Sequence, residues 1–311
     1  MKLNTERIHT IWHLTWPQCI MLLCQFVIGI TDVWAGGRIG SEVQASIGLI
    51  TQCHMMFMAL AMAAVSGAVA SISQSLGACK FVRARRYVGL VTIGCIVIGS
   101  AIAVAASVWR EPLLRLIQTP ESIMPVAIMF LTATIWGIPG QYTLTIGAAV
   151  FRSAKMVLIP LYVTGTACLL NVFGDLAFGL GWWGFPTYGA TGIAYSTLVS
   201  VTVGAALMLF LLMRHELFTR DSFPGWRWIK AGAPYLLKVA GPAFGTSFLW
   251  QTGYMVLYVI TASLPFGRVN ALAGLTTGLR VESILFLPAV AFSMTASVLV
   301  GSASPAQGCA A

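Results

Sequence analysis

Residues 12–35, WHLTWPQCIMLLCQFVIGITDVWA, decide the fold. The stretch is long enough to cross a hydrocarbon core of about 30 Å as a helix. It holds one acid, Asp32, and no Lys or Arg. It is too long for a cleavable signal, contains Pro17 and Asp32, and is followed by seven similar runs at about 45–76, 88–108, 124–150, 158–178, 192–213, 239–262 and 275–300. None shows the period-two alternation of a barrel strand, so all are expected to be helices that satisfy their own backbone in lipid. Composition agrees: 58% of residues are hydrophobic, 9% are charged and mean hydropathy is +0.85. A soluble domain carries about 25% charged residues. Soluble, disordered, collagen-like and secreted disulfide-rich classes are thereby excluded, leaving an all-α integral membrane protein of eight spans.

The 18 basic residues outnumber the 9 acidic ones, and most lie in the short connections. With the N-terminus inside, 13 of them fall on the cytoplasmic side and four (Arg38, Arg110, Arg115, Arg268) outside, while Arg280 lies within the eighth span. The positive-inside rule therefore predicts that both termini face the cytoplasm of a cell inner membrane. Basic charge that sits in membrane-flanking loops argues for lipid rather than nucleic acid as its partner. The seven cysteines are scattered without a C-x-x-C pair and read as small apolar packing residues, not disulfides. Pro17 reads as an N-terminal proline of the first helix rather than a kink. Trp182 and Trp183 read as an interfacial belt, and Met55, Met56, Met58 and Met62 as filler ahead of an adaptable ligand wall. His9 and His13 have helical spacing but no acidic partner for zinc.

The second part of the sequence echoes the first. Pro17 corresponds to Pro242, Gly37-Arg38-Ile39 to Gly267-Arg268-Val269, and Ala45-Ser46-Ile47-Gly48-Leu49 to Ala271-Leu272-Ala273-Gly274-Leu275, at offsets of 225, 230 and 226. An even number of helices per copy makes the repeats parallel, a transporter arrangement with the path between two lobes. The division expected is a six-helix N-lobe over residues 1–213, a cytoplasmic linker over 214–238, the first two helices of a C-lobe over 239–301 and an atypical tail over 302–311. Two copies at that offset need roughly 450 residues and 12 helices, so the chain reads as a truncated or frameshifted form with eight.

Three acids lie within spans: Asp32, Asp175 and Glu282. An ionisable group at the bilayer centre costs at least ~2.5 kcal/mol, which makes function the default reading. Asn171 and Asp175 are four apart and share a helix face. With Asp32 they offer two carboxylates and one amide oxygen, a set that suits a hard monovalent cation; two close carboxylates that cannot both ionise cheaply would also share a proton. Gln25, seven residues before Asp32, is a supporting candidate. Gln251 and Glu282 are candidates for the substrate path, with pairing to Arg280 as an alternative for Glu282.

Several segments together resemble the multidrug and toxic compound extrusion (MATE) family. They are Pro17 with Thr31-Asp32 and Gly37-Arg38-Ile39-Gly40, Gln74-Ser75-Leu76-Gly77-Ala78, Leu170-Asn171-Val172-Phe173-Gly174-Asp175, Gly192-Ile193-Ala194-Tyr195-Ser196-Thr197 and Leu279-Arg280-Val281-Glu282-Ser283. The resemblance implies secondary active export of cationic or amphiphilic drugs or metabolites in exchange for Na+ or H+, through a V-shaped pair of six-helix bundles. It also places a coupling-ion site at Asp32, Asn171 and Asp175 and adds Thr197. The Gly-Gln-x-x-Gly-Ala ending that the family would place after Val300 is absent.

No nucleophile elbow, phosphate loop, metal motif or dinucleotide fingerprint occurs, so neither an enzyme nor a cofactor beyond the coupling ion is expected, and no oligomer is required. Two other functions compete. A lipid-linked precursor flippase or polysaccharide exporter would want several cations in its cavity for phosphates, whereas the spans hold only Arg280. The other is a non-transporting fragment.

Overall fold

The computed structural model describes residues 5–303, with side chains from residue 8 onward. Every regular element among them is helical, in the order α1 (Thr5–Ile39), α2 (Ser41–Gly77), α3 (Phe81–Val108), α4 (Arg110–Leu116), α5 (Met124–Ser153), α6 (Leu158–Gly174), α7 (Ala190–Arg214), α8 (Trp226–Ala262) and α9 (Arg268–Ala303). A π-helical turn, Asp175–Gly179, extends α6. Long apolar runs close their backbone hydrogen bonds within each segment, the one solution available in hydrocarbon. Outward-facing Val97, Val104, Tyr162, Leu169 and Leu285 leave an apolar surface suited to lipid.

Among the described residues, seven helices are long and apolar enough to cross a membrane. The expectation was eight. The remaining one, α8, has a charge-free stretch over residues 239–262, but Gly245, Thr246, Ser247, Gln251, Thr252 and Gly253 within it lower its hydropathy. It also begins at Trp226, inside the stretch read as a linker, which leaves only residues 215–225 as the connection after α7. Aromatic anchorage explains the early start: Trp228 packs edge-on against Tyr87 of α3 at 5.0 Å, and Arg86 lies over its ring at 5.9 Å. Arg85 ties the same connection to α3 through Glu216 at 3.7 Å and Asp221 at 3.5 Å.

Two sequence expectations are corrected. Pro17 stands well inside α1, which begins at Thr5, and so is not an N-terminal proline. Its counterpart Pro242 is likewise inside α8. Cys79, in the turn after α2, is disulfide-bonded, whereas Cys19, Cys24, Cys53, Cys95 and Cys168 are free thiols as expected. The atypical tail expected over residues 302–311 lies, from residue 304 on, outside the described residues.

Helices α8 and α9 pack on α1 and α2 through small residues and side-chain hydrogen bonds, the usual means of association where no hydrophobic driving force separates helix from lipid. Thr295 of α9 meets Thr15 Oγ1 and Gln18 Nε2 of α1, both at 2.9 Å. Gln44 Nε2 of α2 donates to Thr277 Oγ1 at 3.0 Å, and Gln52 Nε2 donates to the Gln251 carbonyl at 3.1 Å. At Gly48 of α2 the fit is closest, because a Cβ there would stand 2.7 Å from Cβ and Cγ2 of buried Thr276. Gly48→Leu should therefore lower stability by about 1–3 kcal/mol through overpacking. Gly274→Ala, with nothing within 4 Å of the new methyl, should be neutral or stabilising by up to about 1 kcal/mol. Thermal unfolding in detergent checks the pair, and equal behaviour of the two variants would contradict this packing.

Candidate functional site: a carboxylate pair where α1 meets α6

The α-helical hydrogen-bond pattern of α6 ends at Gly174, and the π-helical turn that follows presents Asp175. Such turns insert one extra residue into a helix and concentrate at functional sites. Gly174 lets α7 approach: a Cβ there would stand 2.7 Å from the Cβ of Ser196. That approach puts Ser196 Oγ 2.6 Å from Asp175 Oδ1 and 3.0 Å from the Asn171 carbonyl. The hydroxyl has one proton, and the shorter bond to the carboxyl is the stronger.

Asn171 and Asp175 are both completely buried. Asn171 Nδ2 donates to Thr197 Oγ1 at 3.0 Å, and Thr197 in turn donates to the Ile193 carbonyl at 3.2 Å. From the other side α1 delivers half-buried Asp32 as a neighbour of both Asp175 and Asn171. A Cys168 thiol that donates to the Cys24 carbonyl at 3.4 Å helps to hold α1 against α6.

Hydrogen-bond accounting identifies what this arrangement can do. Asp32 Oδ1, Asp175 Oδ2 and Asn171 Oδ1 are buried without a donor. Ionised carboxylates and amide oxygens only accept, so a buried acceptor left without a donor costs about 1–3 kcal/mol. A monovalent cation removes that cost at all three atoms, and a shared proton removes it at the two carboxylate oxygens. The donor set is oxygen throughout, with no thiol or imidazole, and it fits a hard monovalent cation or a proton.

The structure thus brings together Asp32, Asn171, Asp175 and Thr197. It leaves three other candidates elsewhere. Gln25 is exposed, two turns and about 10 Å along the helix axis from Asp32. Gln251 is engaged with Gln52, and Glu282 is exposed with Tyr254 OH 3.5 Å away. Glu282 does not pair with Arg280, since residues two apart on a helix do not face each other. Sequence reasoning missed the role of Ser196 and the π-helical turn; the signal available was a glycine directly before the buried acid. Removing the hydroxyl in Ser196→Ala should cost about 1–3 kcal/mol by taking a donor from Asp175. An unchanged unfolding temperature would contradict the bond.

Where α1 and α6 end, an aromatic cluster gathers. Trp34 meets Trp182 edge-on at 6.2 Å, Phe173 stacks on Trp183 at 5.6 Å, and Arg38 lies 5.2 Å over Trp34.

Comparison with known proteins sets this site in context. A probable multidrug resistance protein NorM of Thermotoga maritima is 27% identical over 279 residues, covering 89% of this chain and 59% of that protein. An FAD transporter of Shewanella oneidensis is 22% identical over 280 residues, covering 89% of this chain and 61% of that protein. The chain therefore spans less than two thirds of the length of either relative. A solved outward-facing conformation of a multidrug resistance MATE family transporter superposes with a TM-score of 0.83 at 19% identity, over 96% of this chain and 65% of that one. The MatE family model matches residues 17–176, the stretch that runs from Pro17 through Asp175 and takes in both carboxylates and Asn171. That match extends over more than half of the sequence, and the chain belongs to the MatE family.

Proposed function

We propose that this chain carries the ion-coupling site of a secondary active exporter, which drives cationic or amphiphilic compounds out of the cell in exchange for Na+ or H+. The observation that carries the reading is the trio of donorless buried oxygens on Asp32, Asn171 and Asp175. A cation or proton that enters there changes the charge of a buried pair, and a buried charge change is what a moving helix bundle can respond to. Helices α1–α7 form the first lobe in this reading, and α8 and α9 open a second, with the polar seam between α1/α2 and α8/α9 as the surface along which they rock. One relative is named a probable multidrug resistance protein and the other an FAD transporter, which supports export rather than enzymatic chemistry.

The test is accumulation of a fluorescent cationic dye in a host that lacks its own pumps. Export should stop when the Na+ and proton gradients are both collapsed and should persist when ATP is depleted with the gradients clamped. Export indifferent to both gradients would overturn the coupling. Orientation has its own check. With both termini in the cytoplasm, a cysteine placed in residues 215–225 should react with a membrane-impermeant maleimide only after the membrane is opened.

A further inference from the structure

Arg280 is the one Lys or Arg within the eight apolar runs of the sequence. A guanidinium at that depth is expected to face the protein interior and find a partner. None of the ion pairs among the described residues includes it. Instead it reaches from α9 to α1 and settles at Gly29. Its Cζ lies 2.7 Å, and its Nη2 3.1 Å, from where a Cβ on Gly29 would stand, with Nη1 closer still. Nη2 also lies 3.5 Å from Thr51 Oγ1 of α2. The guanidinium thus occupies a notch in α1 and α2 that exists because residue 29 has no side chain.

Gly29 lies three residues before Asp32, so the two neighbour each other on one face of α1. Arg280 is beyond ion-pair distance of Asp32 yet close enough to act on it electrostatically. The carboxylate pair therefore has one fixed positive neighbour, and that neighbour belongs to a different helix pair. A cation at the pair and the guanidinium beside it carry the same sign and both draw on the Asp32 carboxylate.

We propose that Arg280 is a tethered counter-cation for Asp32: it holds α9 on α1 while Asp32 is anionic and is released when a cation or proton neutralises that carboxylate. This inference rests on the ion-site reading above and adds to it the link by which occupancy reaches the second helix pair. Thermodynamic linkage makes the effect reciprocal, since a seated Arg280 must weaken cation binding by the factor by which the cation weakens the seat. Arg280 is a positioning residue in this scheme, not a ligand.

Asn at position 32 mimics neutralisation whichever ion is used, so hydrogen exchange of the purified chain, followed by mass spectrometry over residues 272–288, reads the link directly. Asp32→Asn should speed exchange there about ten-fold, as a less firmly seated α9 opens more often. Arg280→Gln should do the same, the double variant should go no further, and Arg280→Lys should stay close to wild type. Gly29→Ala, which fills the notch and leaves every charge in place, should match Arg280→Gln. Additive effects of Asp32→Asn and Arg280→Gln, or no change in either, would overturn the proposal. Cation uptake by the Asp32→Asn chain separates the two readings: uptake lost without any change in exchange refutes the Arg280 link alone, and uptake retained refutes the ion site.

Discussion

Asp32→Asn and Asp175→Asn should each abolish gradient-driven export, bringing dye accumulation to the level of the host without the protein. An amide of the same size can neither release a proton nor balance a cation, and it turns one of two facing acceptors into a donor that satisfies the other permanently. The pair would then lack the second carboxylate with which an exchanged ion or proton has to be held. Asn171→Ala should do less, reducing export about 10- to 100-fold, the range seen when a supporting group around a bound ion is lost. Accumulation measured side by side in the three variants gives the order, and wild-type export by both aspartate variants would refute the site.

The second large effect is expected at a position that carries no charge. Gly192 opens the first turn of α7 against the π-helical turn, where a Cβ would stand 2.6 Å from the Phe178 carbonyl carbon and 2.8 Å from the Gly179 nitrogen, and closer still to the Phe178 oxygen. The obstacle is backbone, which cannot rotate away as a side chain can. Gly192→Leu should therefore cost upward of about 3 kcal/mol and displace the turn that presents Asp175. Stability and cation uptake should fall together, whereas Asp175→Asn should remove uptake without a comparable loss of stability. Gly165→Ala, on the neighbouring α6 with nothing within 4 Å, is the matched control and should fold normally. Thermal unfolding and uptake measured on the same preparations decide the point, and a stable, fully active Gly192→Leu chain would contradict the packing.

How much of this was legible in the sequence depends on range. The helices were legible because hydrocarbon admits so few backbone solutions that length and hydropathy nearly determine them. Asp32 and Asp175 stood out through the cost of placing an acid at depth, and Asn171 through its four-residue spacing from Asp175. Thr197 came from family resemblance. What the sequence concealed was geometry between helices. Ser196 becomes a partner of Asp175 only because Gly174 lets α7 approach, and the π-helical turn depends on that same contact. Gln25 illustrates the opposite error: seven residues keep a side chain on the same helix face but move it two turns along the axis. The start of α8 at Trp226 was hidden for a similar reason, since a basic, proline-bearing stretch reads as a loop until Trp228 is seen against Tyr87.

The account's central claim is that the Asp32–Asp175 pair holds an exchangeable monovalent cation or proton. The most direct measurement is total cation uptake by the purified chain, with radioactive Na+ binding and proton uptake after a pH jump recorded on the same sample, for wild type and for the Asp32→Asn, Asp175→Asn double variant. The account predicts that the double variant loses one bound charge per chain relative to wild type. Equal uptake of both ions by the two proteins would contradict it.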